Sequence, residues 1–395
     1  MAAIPHSISE KLSIIEEIVR APLYSLAGLA AGHLAYVSTV EGVRDLWALD
    51  LSTGERVRLT RGGIHQVARP RPRSPYVVYT RDVSGGRELQ AVYAVDVGGR
   101  ENIALEGFEP RRVLGVAFDG ERAALAAAGE GVELWLLDLR GGVEKLHTAR
   151  GIMWVTDFQD GPVVGQGVLK GDPRSFEVFI YDLSTGGFEV YTPKEGSSNR
   201  SPVTRSGRVL FATNAFGGER LVVYEPGSRE LKPVEVMGPD LEAYGPIEFV
   251  SFGWTEEGRL WAIGKRDGRA RLFLDGRALP TPEGMLYDAD FAGGRAYVTH
   301  TSLTTPTRIL EVDKGGWRIL LGSELPEEVA GRFGATRVVR VRSSDGLEIP
   351  TFVIESRAAP KPGPTVVYVH GGPWSEVADA WNVFIASLAA SGYHV

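Results

Sequence analysis

The sequence predicts an all-β seven-bladed propeller, preceded by a short helix and followed by the start of an α/β domain. Three observations carry this prediction. A strand–turn–strand pattern recurs along the middle of the chain, the first twenty residues have a helical pattern, and strand and helix patterns alternate after residue 335. The 395 residues are enough for more than one domain.

The N-terminal segment 7–20 is predicted to form an amphipathic helix. Ser7 and Glu10 have the spacing of a capping box. Its apolar residues recur at helical spacing, and they are Ile8, Leu12, Ile15 and Val19. We expect this face to pack on the C-terminal domain, because no propeller blade is short of a strand. Residues 1–23 are therefore assigned to a docking helix.

A repeat of 38 to 50 residues occupies the middle of the chain and defines residues 24–335 as the propeller. Each copy is an alternating strand that runs into an acidic turn residue. These residues are Asp50, Asp96, Asp138, Asp182, Glu225, Asp275 and Asp313. An Asp side chain accepts from backbone N–H groups two residues further on, so we interpret the acids as structural. A large β-sandwich, the rival fold, would not keep one period over seven copies.

The C-terminal residues 336–395 are predicted to open a second domain. Strands at 337–341 and 349–354 flank a Ser-Ser-Asp-Gly turn. A Pro-rich linker follows, and then a strand over 365–369, a glycine loop, a helix over 379–391 and a new strand from 393.

The glycine loop His370-Gly371-Gly372-Pro373 carries the main functional signal. A strand–turn–helix unit of this kind is typical of the oxyanion-hole loop of an α/β-hydrolase. Paired glycines let a substrate approach the backbone, and Pro373 has no N–H to donate. We therefore predict Gly372 as the oxyanion donor, with Gly371 as second choice. Substrate contacts are assigned to His370, Pro373 and Trp374.

No Gly-x-Ser-x-Gly sequence occurs in the chain. The catalytic triad is therefore expected outside the printed sequence, in the remainder of the hydrolase domain. The printed chain by itself is predicted to be inactive.

Composition excludes several functions. The net charge is −7 without a basic run, which argues against nucleic-acid binding. No apolar stretch reaches the length of a membrane span, and no signal peptide is present, so a cytoplasmic location is expected. The absence of cysteine excludes thiolate metal sites, and no cofactor is expected.

Scarce Met, Asn and Gln favour a thermophilic source. The stretch Arg69–Arg73 is interpreted as a solvated loop.

The propeller repeat, the hairpin Ser344–Pro350 and the segment His370–Trp374 together resemble the prolyl oligopeptidase family of serine peptidases. With its N-terminal helix, the chain is most similar to the archaeal acylaminoacyl peptidases. The resemblance implies a serine peptidase or esterase that removes N-acylated amino acids from short peptides through an acyl-enzyme. It also implies a propeller that restricts access to small substrates. Glu88 and Met153 are implied as substrate contacts, and formation of a homo-oligomer is left open.

Two alternatives stay open at this point. One is a dipeptidyl peptidase or oligopeptidase of the same family, which a comparison of acetylated and free-amine substrates would separate. The other is a non-catalytic propeller binding module with a hydrolase remnant, which the intact mass of the protein would separate.

Overall fold

Seven four-stranded antiparallel sheets form the propeller, and each sheet contains four consecutive strands. The structure, a computed structural model, describes residues 8–234, 238–245, 247–322, 325–372 and 375–395. The prediction of seven blades is confirmed. The acidic turns connect the third strand of each blade to its fourth, as in the Asp50 turn between Asp45–Asp50 and Arg56–Arg58.

The strands of the first four blades follow one another along the chain. They are β1 (Tyr24–Ala30), β2 (His33–Ser38), β3 (Asp45–Asp50), β4 (Arg56–Arg58), β5 (Ile64–Val67), β6 (Tyr76–Asp82), β7 (Gln90–Asp96), β8 (Asn102–Ala104), β9 (Val113–Phe118), β10 (Arg122–Ala128), β11 (Val132–Asp138), β12 (Val143–Ala149), β13 (Ile152–Phe158), β14 (Val163–Val168), β15 (Glu177–Asp182) and β16 (Gly187–Tyr191).

Blades 5 to 7 complete the ring. Their strands are β17 (Asn199–Arg205), β18 (Arg208–Thr213), β19 (Arg220–Glu225), β20 (Glu230–Pro233), β21 (Glu248–Trp254), β22 (Leu260–Arg266), β23 (Arg269–Leu274), β24 (Arg277–Ala278), β25 (Met285–Ala292), β26 (Arg295–Ser302), β27 (Thr305–Asp313) and β28 (Gly316–Leu321). The remaining elements are α1 (Ile8–Arg20), α2 (Pro239–Tyr244), α3 (Glu327–Ala330), β29 (Phe333–Arg342), β30 (Glu348–Ser356) and α4 (Val383–Ala390).

The propeller core consists of seven apolar clusters, one between each pair of neighbouring blades. The cluster between the last and the first blade contains Leu34 and Tyr36 of β2 with Tyr297 and Ile309 of blade 7. Among the described strands, none from blade 1 joins the sheet of blade 7. The ring is therefore closed by packing and by isolated hydrogen bonds, such as Leu26 N–H to Thr299 Oγ1 at 2.9 Å.

The acidic turn residues act as the local sequence predicts. Asp50 Oδ1 accepts from the N–H groups of Ser52 and Thr53 at 2.7 and 3.0 Å. The hydrogen bonds from the Ser52 hydroxyl and backbone lower the pKa of Asp50 to about 2. Asp182 receives the same bond from Ser184 N–H at 2.8 Å.

A second polar anchor lies at the opposite end of the third strand in several blades, and the sequence analysis missed it. Asp45 is buried and accepts from Gly62 N–H at 2.8 Å. Gln90 accepts from Val113 N–H at 2.7 Å. Glu177 accepts from Leu169 N–H at 2.8 Å. Each of these three side chains thus satisfies a backbone N–H group outside its own strand.

Helix α1 docks through a different face from the one predicted. Ile14 and Ile18 are buried against α3, α4 and the hairpin β29–β30. Ile8, Leu12 and Val19 of the predicted face are exposed, and Ile15 is half-buried. The buried face differs from the predicted one, because α1 contains more apolar residues than one stripe needs. Ser7 of the predicted capping box lies outside the described residues.

We expect Ile18→Ala to lower the free energy of unfolding by about 2–5 kcal/mol, because it leaves a cavity at a fully buried side chain. Leu12→Ala on the same helix is the matched control, since Leu12 is 61% exposed and should tolerate the change. Urea titration of both variants measures the difference. Equal midpoints would contradict the docking of α1 through Ile14 and Ile18.

The stretch Arg69–Arg73 is not a solvated loop. Arg69 lies between Asp288 and Asp290, and the side chain of Arg71 is 11% exposed. We call residues 69–73 the strap. Only Arg73, 95% exposed, behaves as the sequence predicted.

The C-terminal hairpin forms as expected, with β29 and β30 paired antiparallel on either side of the predicted turn. The predicted strand over 365–369 is reduced to one bridge, Thr365 with His394, and Val367 and Val369 are exposed. The predicted helix from 379 begins only at Val383, because the Asn382 side chain caps it by accepting from Phe384 and Ile385 N–H.

Candidate active-site face

The C-terminal unit meets the propeller at one end of the ring, and Asp379 is the centre of the contact. Its side chain is 4% exposed. Oδ2 accepts from Arg269 Nε at 2.8 Å, and Oδ1 accepts from Leu303 N–H at 2.9 Å. The backbone of Asp379 donates to Gly268 O at 2.8 Å and accepts from Met285 N–H at 3.0 Å. One residue therefore connects the C-terminal unit to blades 6 and 7.

A second bond continues this junction towards α4. Trp381 N–H donates to Thr301 Oγ1 of β26 at 3.0 Å. Asn382 follows directly and caps α4. The N–H groups of Asp379 and Trp381 bond to the blades, which holds the chain before Asn382 on the propeller.

The glycine loop stands exposed at the edge of this unit. Val366 N–H donates to His394 O at 2.8 Å, and His394 N–H donates to Pro364 O at 2.9 Å. Beyond Val366 the segment is exposed through Gly372. His370 Nδ1 lies 2.6 Å from Gly371 O. The described surroundings of Gly371 hold no heavy atom within 4 Å of a Cβ built there, so the backbone is open to approach.

The predicted site residues are not brought together by the described contacts. Gly371, Gly372 and His370 share the exposed loop, whereas Pro373 and Trp374 lie outside the described residues. Glu88 lies in the connection between β6 and β7 and pairs with Arg112 Nε at 3.2 Å.

Met153 is the other substrate contact that the resemblance implies. Its side chain is fully buried in the core between blades 3 and 4, where it packs with Phe179 and Leu134.

The strand order of the C-terminal unit follows from four backbone bonds. Val395 and Ile354 of β30 exchange N–H···O bonds at 2.8 and 3.0 Å. The next neighbour is Thr365, which bridges His394 in parallel. The order is therefore β29, β30, residues 393–395, residues 364–366. A helix, α4, connects the last two segments, as parallel neighbours require.

The structure has two parts, a seven-bladed propeller and a strand–loop–helix unit docked at one end of it. Comparisons with known proteins show the family to which the chain belongs. The profile of the family described as acylamino-acid-releasing enzyme-like, N-terminal domain, matches residues 35–310. The chain belongs to this family, and with it to the prolyl oligopeptidase family of peptidases.

Solved structures of that family share the fold at low sequence identity. A prolyl endopeptidase has a TM-score of 0.76 and 15% identity, over 98% of this chain and 63% of that chain. An acylaminoacyl peptidase from Pyrococcus horikoshii has a TM-score of 0.69 and 14% identity, over 94% and 64%. Prolyl oligopeptidase B from Galerina marginata has a TM-score of 0.69 and 13% identity, over 98% and 64%. The chain thus spans just under two thirds of these proteins.

Two features of this face escaped the sequence analysis. The sequence pattern places Asp379 in the first turn of a helix, and it carries no signal for Arg269. The signal for the first is Asn382, a strong N-cap that places the helix start at Val383, four residues later. No helix in the described part of the chain is long and apolar enough to cross a membrane.

Proposed function

We propose that the chain is the N-terminal part of a serine peptidase or esterase that removes N-acylated amino acids from short peptides. The match of residues 35–310 to the acylamino-acid-releasing enzyme-like N-terminal domain carries this proposal. The docked strand–loop–helix unit supports it, because it supplies the element on which an oxyanion hole is built.

In this proposal the C-terminal unit is the first part of an α/β-hydrolase domain. Its four segments lie side by side in a mixed order, and α4 connects the two parallel ones. The remainder of the domain would add strands beyond residues 364–366 and would supply the Ser, Asp and His of the triad. Val367, Val369 and Phe384 are exposed apolar residues that such a remainder would cover.

The loop residue assigned to catalysis is Gly372, with Gly371 as second choice. In an acyl transfer the substrate carbonyl oxygen becomes negatively charged in the transition state, and a backbone N–H stabilises it. The exposure of residues 370–372 leaves room for a substrate carbonyl. His370 would line the same space. Pro373 and Trp374 keep their proposed place beside it on the sequence alone.

A substrate comparison on the longer enzyme tests the proposal. We expect N-acetyl-alanyl p-nitroanilide to be hydrolysed and alanyl p-nitroanilide, which has a free amine, to be hydrolysed far more slowly. Gly372→Pro removes the N–H and should lower kcat by about 10²–10³. Gly372→Ala keeps the N–H and should retain more turnover.

The printed chain expressed alone serves as the blank and should hydrolyse neither compound. Preference for the free amine would favour a dipeptidyl peptidase instead. Equal kcat for the folded Pro and Ala variants would refute the oxyanion assignment.

A further inference from the structure

The strap is part of the longest connection between the first and second strands of any blade. That connection comprises residues 68–75, between β5 and β6 of blade 2, whereas the same connection has two residues in blades 1, 5 and 7. These connections lie at the end of the ring opposite Asp379, because Asp379 contacts the starts of first strands and the connections between second and third strands.

On one side the strap reaches across blade 1 to blades 7 and 6. Arg69 Nη1 donates to Asp288 at 3.1 Å, and Nη2 donates to Ala289 O at 2.6 Å. Its guanidinium also lies 5.4 Å from the ring centroid of Trp261 in blade 6. Blade 1 is contacted on the way, since Ala31 N–H donates to Pro72 O at 2.9 Å.

On the other side the strap reaches blades 3 and 4. Arg71 donates to Phe118 O of β9 at 2.6 Å. It also donates to three groups of blade 4, which are Asp157 Oδ1 at 2.5 Å, Phe158 O at 2.7 Å and Gln159 Oε1 at 3.1 Å. Asp157 in turn accepts from Thr204 N–H of blade 5 at 2.8 Å.

These contacts place the strap across the axis of the ring. A connection that leaves the inner strand of blade 2 and contacts blades 6 and 7 on one side and blades 3 and 4 on the other must cross the centre. Blade 5 is reached through Asp157. The end of the channel remote from Asp379 is thus spanned by protein that contacts, directly or through one carboxylate, all the other blades.

The strap is held rigidly. Burial alone would lower the pKa of Arg69, but Asp290 and Asp288 raise it above its usual range, so the cation stays charged between them. Pro70 and Pro72 restrict the backbone around the two ion-paired arginines. Gly28 makes room for the strap, because a Cβ there would lie 2.9 Å from Pro70 Cδ.

We propose that the strap seals this mouth of the propeller, so that peptides enter and leave only at the end where the C-terminal unit docks. Arg69 and Arg71 are the residues that determine this exclusion. The inference rests on the proposed function and deepens it. A channel that is closed at the end remote from the C-terminal unit cannot admit a peptide there and pass it to the active-site face.

A cross-linking experiment on the printed chain tests the seal without any catalytic activity. The sequence contains no cysteine, so two can be introduced cleanly. Ser201 lies in β17, the inner strand of blade 5, and its exposure places it on the channel. Ser206 lies in the turn to β18 on the strap side. Five residues of strand separate them by roughly 17 Å, so a bis-maleimide of that span can join them only through the mouth.

We expect Ser201→Cys/Ser206→Cys to give no internally cross-linked species by intact mass. The control pair Ser206→Cys/Glu256→Cys, outside the mouth on neighbouring turns, should cross-link efficiently. Replacing both Arg69 and Arg71 by Ser should let the first pair cross-link.

Cross-linking of the first pair with the native strap, at a rate like that of the control pair, would overturn the proposal. This comparison needs no strap variant, so it decides the question even if the double variant does not fold. Because the readout ignores hydrolysis, a failure of the peptidase assignment and a failure of the seal are distinguishable.

Discussion

Replacing Asp379 by Ala is expected to lower the free energy of unfolding of the C-terminal unit by about 3–5 kcal/mol, the cost of removing one partner from a buried ion pair. The side chain is nearly fully buried, and its loss leaves the Leu303 N–H and the Arg269 Nε without their acceptor. Hydrogen exchange should show the difference directly, as faster exchange across 379–395 while blades 1 to 5 stay protected.

Glu283 supplies a matched control for Asp379. It pairs with the same Arg269 at 2.9 Å, but its side chain is 79% exposed. Glu283→Ala should therefore change stability by no more than about 1 kcal/mol. Asp379→Asn keeps an acceptor for Leu303 N–H and should fall between the two. If the Asp379→Ala and Glu283→Ala variants show the same hydrogen exchange across 379–395, Asp379 does not hold the C-terminal unit on the propeller.

Arg71→Ala is expected to have a comparable effect on the whole propeller, also about 3–5 kcal/mol. The change removes a donor shared by two backbone carbonyls, Gln159 and Asp157, and it leaves a nearly buried carboxylate without its cation. Denaturant unfolding followed by tryptophan fluorescence measures the loss. The unfolding midpoint should fall as blades 2, 3 and 4 lose their common contact.

The same strap provides the control. Arg73 is two residues away and almost fully exposed, 3.8 Å from Glu256. Arg73→Ala should leave the midpoint unchanged. Arg71→Lys keeps the charge but cannot reach all four acceptors, so it should be intermediate. A midpoint shift of equal size in Arg71→Ala and Arg73→Ala would show that the hydrogen bonds of Arg71 add nothing to the stability of the propeller.

The repeat made the propeller predictable, because each acidic turn is a local event. Asp50 and Asp182 bond to residues two positions further on, and such contacts are readable from a short window of sequence. The hairpin β29–β30 was predictable for the same reason. The buried face of α1 was not, since Ile14 and Ile18 are selected by packing against α3 and α4, which is a tertiary choice.

The strap and Asp379 show why contacts between distant parts of the chain were harder to predict. The bonds of Arg69 to blade 7 span more than two hundred residues, and nothing in the local sequence Arg-Pro-Arg-Pro-Arg separates a buried arginine from a solvated one. The glycine loop is predicted as an oxyanion-hole loop from its residue types and their order, and this stays a prediction. The extent of its strand was not predictable, because a strand needs neighbours that sequence alone does not place.

In some blades the third strand carries a polar anchor at each end, and this bears on how such a ring could arise. In blade 1, Asp45 fixes the start of β3 and Asp50 fixes its end. In blade 4, Glu177 and Asp182 do the same for β15 with the same spacing of five residues. A strand fixed at both ends cannot slip by one residue and turn its apolar face outward. A gene segment that encodes such a unit can therefore be duplicated and inserted as a working blade, with its register carried inside the copied sequence.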